Sequence, residues 1–316
     1  MPTAAYVLAG HTSNSPKLTA DIYLWCSTSA MITISNETCT ATFLEKGAEL
    51  RSLRYADTEY MWQAGEAWPK TSPILFPIVG TLKNGHYLHK GVPYQLGRHG
   101  FAREREFVVT EQTGSCVCFT LMSDDDTLKH FPFPFRLDII YSLEKQTLHI
   151  SYRVVNTGTS TMYFSIGGHP AFRVPLEDSL DYEDYALHFN QLENAKRYPI
   201  SPDGLIMKEP VTCLDQTQLL PLKKSLFYKD ALVFKQLQSD QVSLKTGRGN
   251  RGLTAYFAGF PYMGIWAVKD ADFVCIEPWR GIADGVDAGG EISDKEGIMI
   301  LQAQGEWEQG WSIELF

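Results

Sequence analysis

Between Leu148 and Val154 apolar and polar residues alternate without a break, with Leu148, Ile150, Tyr152 and Val154 set against His149, Ser151 and Arg153. Successive side chains of a strand point to opposite faces, so a period of two predicts a strand with one buried face and rules out a helix there. Asn156-Thr157-Gly158 then supplies turn chemistry, and Met162, Phe164 and Ile166 resume the alternation. Tyr185, Leu187 and Phe189 repeat it, as do Trp311, Ile313 and Leu315 at the C-terminal end. Ser115–Met122 and Leu137–Leu143 read as strands with apolar groups on both faces. Helical periodicity is scarce: Asp124–His130 makes one or two turns, capped by the aspartates and ended by Phe131-Pro132-Phe133-Pro134. No strand–helix–strand alternation and no repeat of fixed length is visible. Many strands separated by short Gly, Pro, Asn and Asp clusters predict an all-β chain built as one large antiparallel sandwich.

The size suits this. The chain has 316 residues, 44% of them hydrophobic and 21% charged, enough to bury a core and unlike a disordered or fibrous sequence. A net charge of -9 with no long Lys/Arg cluster excludes a protein that grips a nucleic-acid backbone. No apolar run approaches the roughly 18 residues needed for a membrane span. Residues 1–30 differ from the rest, being rich in Thr, Ser and Ala; Lys17 and Asp21 interrupt any signal-peptide core. Met31 opens the first alternating segment, so the expected division is a leader or flexible extension over 1–30 and a single domain over 31–316. Cys26, Cys39, Cys116, Cys118, Cys213 and Cys275 are spread too widely for a disulfide framework. Reduced thiols acting as small hydrophobes favour a cytoplasmic setting.

Four segments combine ionisable groups with residues that shape a pocket. Arg98-His99-Gly100-Phe101-Ala102-Arg103 places two guanidiniums and an imidazole around a glycine, suited to a hydroxyl pair or a phosphate, or simply to a charged surface turn. In Ser165-Ile166-Gly167-Gly168-His169-Pro170-Ala171-Phe172 a strand ends in two glycines and presents His169, held extended by Pro170. An imidazole so fixed suits a general acid, although a lone histidine is more often structural. Glu277 follows the apolar run Phe273-Val274-Cys275-Ile276 and precedes Pro278-Trp279, so desolvation at the mouth of a strand would raise its pKa and fit it as a base. The plainer reading is an edge glutamate paired with an arginine. Asp230 precedes another apolar strand, where aspartate ordinarily caps a turn. His86-Tyr87-Leu88-His89 lacks a third ligand, Asp124-Asp125-Asp126 lacks calcium-loop spacing, and neither a phosphate-binding glycine loop nor a nucleophile elbow is present. No metal site is read.

The order Leu75-Phe76-Pro77-Ile78-Val79-Gly80, then Arg98–Arg103, then Gly167–Phe172, then Val274–Trp279 resembles the aldose 1-epimerase (galactose mutarotase) superfamily, and within it the lactose-operon X-type branch. The similarity runs from about Met31 to the C-terminus. It implies a large antiparallel β-supersandwich with a sugar in an open cleft, and interconversion of the α and β anomers of a hexose by ring opening and reclosure. By this resemblance His169 matches the general acid and Glu277 the general base. His99 matches a histidine that holds the sugar, Asp230 an aspartate that binds its hydroxyls, and Arg98 and Arg103 lie in the same motif as substrate-binding candidates. No cofactor is implied; the expected partner is a small-molecule sugar, bound by a monomer or homodimer. Trp279 or Phe172 would pack on the sugar's C–H face, unless either simply belongs to the core. Galactose mutarotases carry an arginine shortly after the segment equivalent to Leu75–Gly80, where this chain has Thr81, Leu82 and Lys83. Arg98 or Lys83 would then take its place, or the sugar differs. Two alternatives stand beside a free hexose: a hexose 6-phosphate, with Arg98, Arg103 and Arg136 supplying the phosphate site, and a carbohydrate-binding protein without catalysis.

Overall fold

The computed structural model describes residues 31–316; the expected leader, residues 1–30, lies outside the described residues. The alternating segment becomes the strand Thr147–Asn156, paired antiparallel with Phe135–Glu144 on one side and Glu306–Leu315 on the other. Register aligns like with like. Leu148 faces Leu143 and Ile313, and Ile150 faces Tyr141 and Trp311, so one side of the sheet is a continuous apolar layer. On the other side Arg153 lies opposite Asp138, whose buried carboxylate accepts from Arg153 Nε and Arg136 Nε, each at 2.9 Å.

These three strands form the middle of a nine-stranded sheet. Beyond Phe135–Glu144 it continues through Cys116–Met122 to Val108–Gln112; beyond Glu306–Leu315 it runs through Leu253–Tyr256, Gln241–Thr246 and Tyr185–Glu193 to Thr217–Pro221. A second sheet orders Val211–Thr212, Lys196–Tyr198, Leu232–Lys235, Tyr262–Trp266, Phe273–Arg280, Ile166–Gly168 and Ile74–Leu75, with Ala171–Arg173 also paired to Phe273–Arg280. A smaller four-stranded sheet spans Ile32–Ser35 to Thr58–Glu59. Pairing within the sheets is antiparallel throughout, as the alternation predicts. The single α-helix among the described residues, Asp125–His130, has Asp124 as its N-cap: the carboxylate accepts from the Asp126 and Thr127 N–H groups.

One expected strand is divided. Met162, Phe164 and Ile166 alternate as a single run, yet Met162–Phe164 pairs with Met299–Leu301 while Ile166–Gly168 joins the second sheet. The change occurs at Ser165, whose N–H donates to Pro77 O at 2.7 Å instead of continuing a ladder. The two large sheets meet at the next turn of chain. A Cβ on Gly168 would lie 2.9 Å from both Trp311 and the Tyr152 hydroxyl of the nine-stranded sheet, so only glycine permits the approach. Phe76, packed between Phe131, Phe135 and Phe164 at ring-centroid distances of 5.9, 5.1 and 6.0 Å, pins the 74–80 segment into this core. Burial of each such ring stabilises the fold by roughly 1.5–3 kcal/mol. A second, smaller apolar cluster of Leu75, Val79, Ile206, Ala231, Val233, Trp279, Ile282 and Ala283 sits beside the second sheet. It forms the footing of a cavity lined by the residues singled out above.

Candidate active site

Strand alternation puts Phe273, Cys275, Glu277 and Trp279 on one face of Phe273–Arg280. Glu277 lies inside this strand, opposite Gly264, rather than at its mouth. Register then brings up the histidine. Gly167 pairs with Trp279 and Ala171 with Cys275, so His169, midway between them, falls directly across from Glu277. Its backbone N–H donates to Pro73 O at 3.1 Å, and Pro170 follows, which fixes the segment on both sides. His169 Nε2 lies 3.3 Å from Glu277 Oε2, with His169 8% and Glu277 1% exposed.

Burial dominates the electrostatics of this pair. It raises the Glu277 carboxyl well above the usual carboxylate range, and the nearby Arg98 charge offsets only part of the shift. It lowers His169 to about 3, with Arg98 and Arg103 pushing the same way. Burial thus opposes charge on both groups, and the arrangement it favours is a carboxylic acid beside a neutral imidazole. Trp68 stacks on the His169 ring at 5.1 Å, and Trp266 meets it edge-on at 5.5 Å.

His99 adopts a left-handed backbone, φ 68°, beside Gly100 at φ 70°. A Cβ on Gly100 would come within 2.3 Å of Phe76 O, so the turn passes against the 74–80 segment only because residue 100 is glycine. The Gly80 N–H donates to His99 Nδ1 at 3.1 Å. A neutral imidazole carries one hydrogen, so Nε2 bears it, and the 3.3 Å contact between Nε2 and Arg98 Nε is donor against donor. His99 Nε2 is thus a hydrogen-bond donor available to a ligand, and burial holds the ring neutral by lowering its pKa well below the ordinary value. Its ring lies 5.7 Å from that of His169.

Arg98 Nη2 reaches to 3.9 Å from Asp230 Oδ1 across the entrance. Arg103 Nη2 donates to Arg98 O at 2.9 Å, while its buried Nε has no hydrogen-bond partner among the described residues. Asp230 sits at φ 81° just before Leu232–Lys235, and its Oδ1 accepts from the Ala231 N–H at 2.7 Å. All six residues singled out from the sequence, His169, Glu277, His99, Asp230, Arg98 and Arg103, line one cavity of about 450 Å³. That is ample for a single sugar ring.

Three sequence expectations fail here. Arg136 is not at the cavity; it is committed to the buried Asp138 carboxylate on the nine-stranded sheet. Lys83 does not replace the missing arginine, because its Nζ donates to Ala288 O at 3.2 Å, away from the cavity wall. Phe172 is fully buried in the core, so of the two aromatic candidates only Trp279 faces the cavity. Conversely, Trp68, Trp266, Lys269, Ile200 and Ile206 complete the wall with no motif to announce them. Trp68, an aromatic between Ala67 and Pro69 in an otherwise exposed loop, was the one signal available.

Comparison with known proteins identifies the family. A family profile described as aldose 1-epimerase matches residues 30–299. Protein LacX, chromosomal, from Lactococcus lactis subsp. lactis is 33% identical over 275 residues, 84% of this chain and 92% of that protein. The crystal structure of a galactose mutarotase related enzyme from Lactobacillus acidophilus superposes with a TM-score of 0.86 at 35% identity, covering 91% of this chain and 97% of that one. A galactose mutarotase-like protein from Lactobacillus casei ATCC 334 gives 0.85 at 30% identity, over 91% and 100% of the two chains. With the supersandwich fold, the motif order and the family match in agreement, the chain belongs to the aldose 1-epimerase family, on its LacX-type branch, and is a carbohydrate isomerase.

Proposed function

We propose that the chain interconverts the α and β anomers of a free hexose, with Glu277 as general base and His169 as general acid. The observation that carries this reading is the buried His169–Glu277 pair, 3.3 Å apart, facing a cavity of sugar size. Glu277 as carboxylate takes the proton of the C1 hydroxyl while His169 as imidazolium protonates the ring oxygen, and the ring opens. The two residues finish as carboxylic acid and neutral imidazole, the uncharged arrangement that burial favours. Rotation about C1–C2 and the reverse transfer close the ring on the other face. Opening moves one proton to Glu277 and another from His169, and closure reverses both transfers, so the pair returns to its starting state without help from solvent.

The remaining groups hold the ring. His99 Nε2–H and the two guanidiniums donate to sugar oxygens, Asp230 accepts from hydroxyls, and Trp279 offers an apolar face for the C–H side. The reading places the protein in the cytoplasm, supported by the free thiols of Cys39, Cys116, Cys118, Cys213 and Cys275. Among the described residues no helix is long and apolar enough to cross a membrane. A polarimetric assay with fresh α-D-glucose and α-D-galactose tests the proposal. Acceleration over buffer that falls by about 10²-fold or more in Glu277→Gln and in His169→Asn supports it; a Glu277→Gln protein at the wild-type rate overturns it.

One observation favours a phosphorylated hexose as the alternative. Arg98, Arg103 and Lys269 give the cavity three cations against Asp230 and Glu277. Competition of glucose 6-phosphate with the free sugar at micromolar concentration would select that reading, and indifference would remove it.

A further inference from the structure

The strand face that carries Glu277 also carries a group with no part in ring opening. Cys275 precedes it by two residues and is fully buried. Its Sγ, a ring nitrogen of His169 and a carboxylate oxygen of Glu277 all lie within 4.8 Å of one another. His169 Nδ1 is buried without a hydrogen-bond partner among the described residues, against the rule that buried polar atoms are paired. Three atoms so placed surround a point at most about 2.8 Å from each. Zinc takes thiolate at about 2.3 Å and imidazole or carboxylate at about 2.0–2.2 Å, so movements of about 0.5–0.7 Å per donor complete a three-ligand set. The sequence hides this arrangement, because only two of the donors are neighbours along the chain and the third arrives by strand register.

The donor chemistry selects the cation. One thiolate, one imidazole and one carboxylate suit a borderline-soft divalent ion and not magnesium or calcium, which take oxygen ligands. Thiolate and carboxylate together cancel a double positive charge, so the occupied site is neutral and its burial carries little electrostatic cost. Three ligands leave a fourth position for water or a sugar hydroxyl, and two of the three, His169 and Glu277, line the cavity.

We infer that His169, Cys275 and Glu277 form a site for one zinc-class divalent cation, and that filling it switches the epimerase off. The second half of this inference rests on the proposed roles of His169 and Glu277. On binding, the thiol proton and the single proton of the His169–Glu277 pair leave to solvent, and the nitrogen and oxygen lone pairs that move the sugar's proton become metal ligands. No oxidation is involved, and chelation reverses the block. Because protons are released, the cation binds more tightly as pH rises.

The test uses the full, tag-free chain after chelator treatment. Addition of Co²⁺ is expected to give a cobalt–thiolate charge-transfer band in the near ultraviolet that saturates at one equivalent and is displaced by Zn²⁺. Cys275→Ala removes the band, keeps mutarotation within about twofold of wild type, and needs at least about tenfold more Zn²⁺ for half-inhibition. Mg²⁺ does neither. Cys275→Ser, which keeps the side-chain volume, serves as the second variant, with near-ultraviolet circular dichroism checking that both fold. A wild-type protein that gives no band and binds no Zn²⁺ overturns the site, as does a band that survives in both variants. Stoichiometric Zn²⁺ binding without inhibition overturns the switch. If no sugar is epimerised, the band and its loss in the Cys275 variants still decide the site, so failure of the catalytic proposal is distinguishable from failure of this one.

Discussion

The footing of the cavity hangs on one buried ion pair, and removing its cation gives a prediction with a definite size. Lys295 Nζ donates to Asp284 Oδ1 and to Ile282 O, each at 2.7 Å, with the two side chains only 3% and 5% exposed. Asp284 in turn ties three segments together. Its Oδ2 accepts from the Lys83 N–H, its own N–H donates to Thr81 O, and its carbonyl accepts from the Ile206 N–H, all at 2.9 Å. Ala283 beside it packs so tightly on Gly80 that a Cβ there would come within 2.4 Å of the alanine methyl. Gly80, Ile206 and Ala283 all line the cavity. Burial pushes the Lys295 ammonium below its ordinary pKa and Asp284 pulls it back, as expected of a paired charge held out of water. Lys295→Met keeps much of the volume and leaves the Asp284 carboxylate buried with backbone donors alone. Breaking a buried pair by removing one partner costs about 3–5 kcal/mol. For a domain of this length the unfolding entropy is about 0.6 kcal/mol per degree, so Tm is expected to fall by about 5–8 °C. Removing both charges in Asp284→Asn/Lys295→Met is expected to restore at least half of the loss, because no unpaired charge remains. Thermal unfolding by circular dichroism, run beside sugar kinetics, reads both consequences. KM is expected to rise while kcat holds, since His169 and Glu277 are carried by other strands. A Lys295→Met protein within about 2 °C of wild type, with unchanged KM, would refute the claim that this pair holds the footing.

Stability against pH isolates the state of Glu277. Its folded pKa is raised, so the folded protein keeps a proton that the unfolded chain loses above about pH 4.5, and that contribution drains away as pH rises toward the folded value. In chelator-treated protein, wild type is therefore expected to match Glu277→Gln at pH 4 and to become progressively less stable relative to it as pH rises above about 4.5; urea unfolding at pH 4, 6 and 7 shows whether it does. Trp68→Ala exposes the ring it covers and is expected to move His169 from about 3 back toward its usual range, read from the imidazole proton shifts in an NMR titration; an unmoved resonance rejects the stack as the cause of burial. Gly100→Ala, forced into φ 70° with Phe76 O in its way, is expected to cost at least about 2–3 kcal/mol, whereas Gly97→Ala, with open space around it, stays within about 1 kcal/mol; equal losses in denaturant melts would show that the tight turn is not the constraint.

What the sequence discloses follows from the range of each interaction. Period-two alternation is a local property, so Thr147–Asn156 appears as a strand with nearly its true limits, while Tyr185–Glu193 and Glu306–Leu315 are legible over Tyr185–Phe189 and Trp311–Leu315, the parts that alternate cleanly. The helix at Asp125–His130 is legible for the same reason, since its cap and its terminating Phe-Pro pairs are adjacent in the chain. The run through Met162, Phe164 and Ile166 misleads, because alternation fixes which face a side chain takes but not which sheet the strand joins. Ser165 bonds to Pro77, nearly ninety residues earlier, and that contact divides the run. Arg136 misleads similarly: its cationic type fits a phosphate, but its partner Asp138 lies two residues away on the same strand face and holds it on the other sheet.

The candidate site shows the same division between face and partner. Phe273, Cys275, Glu277 and Trp279 share a face by spacing alone. What they do there depends on the strand laid alongside, and the register Gly167–Trp279 and Ala171–Cys275 sets His169 opposite Glu277. A slip of one residue in that pairing would turn the imidazole to the other side of the sheet and leave the carboxyl without its proton partner. Two features oppose the slip. Gly168 fits under Trp311 and Tyr152 only at its present height, and the His169 N–H is tied to Pro73 O. Gly168 thus acts through the core: it lets the two sheets close, and their closure holds His169 against Glu277.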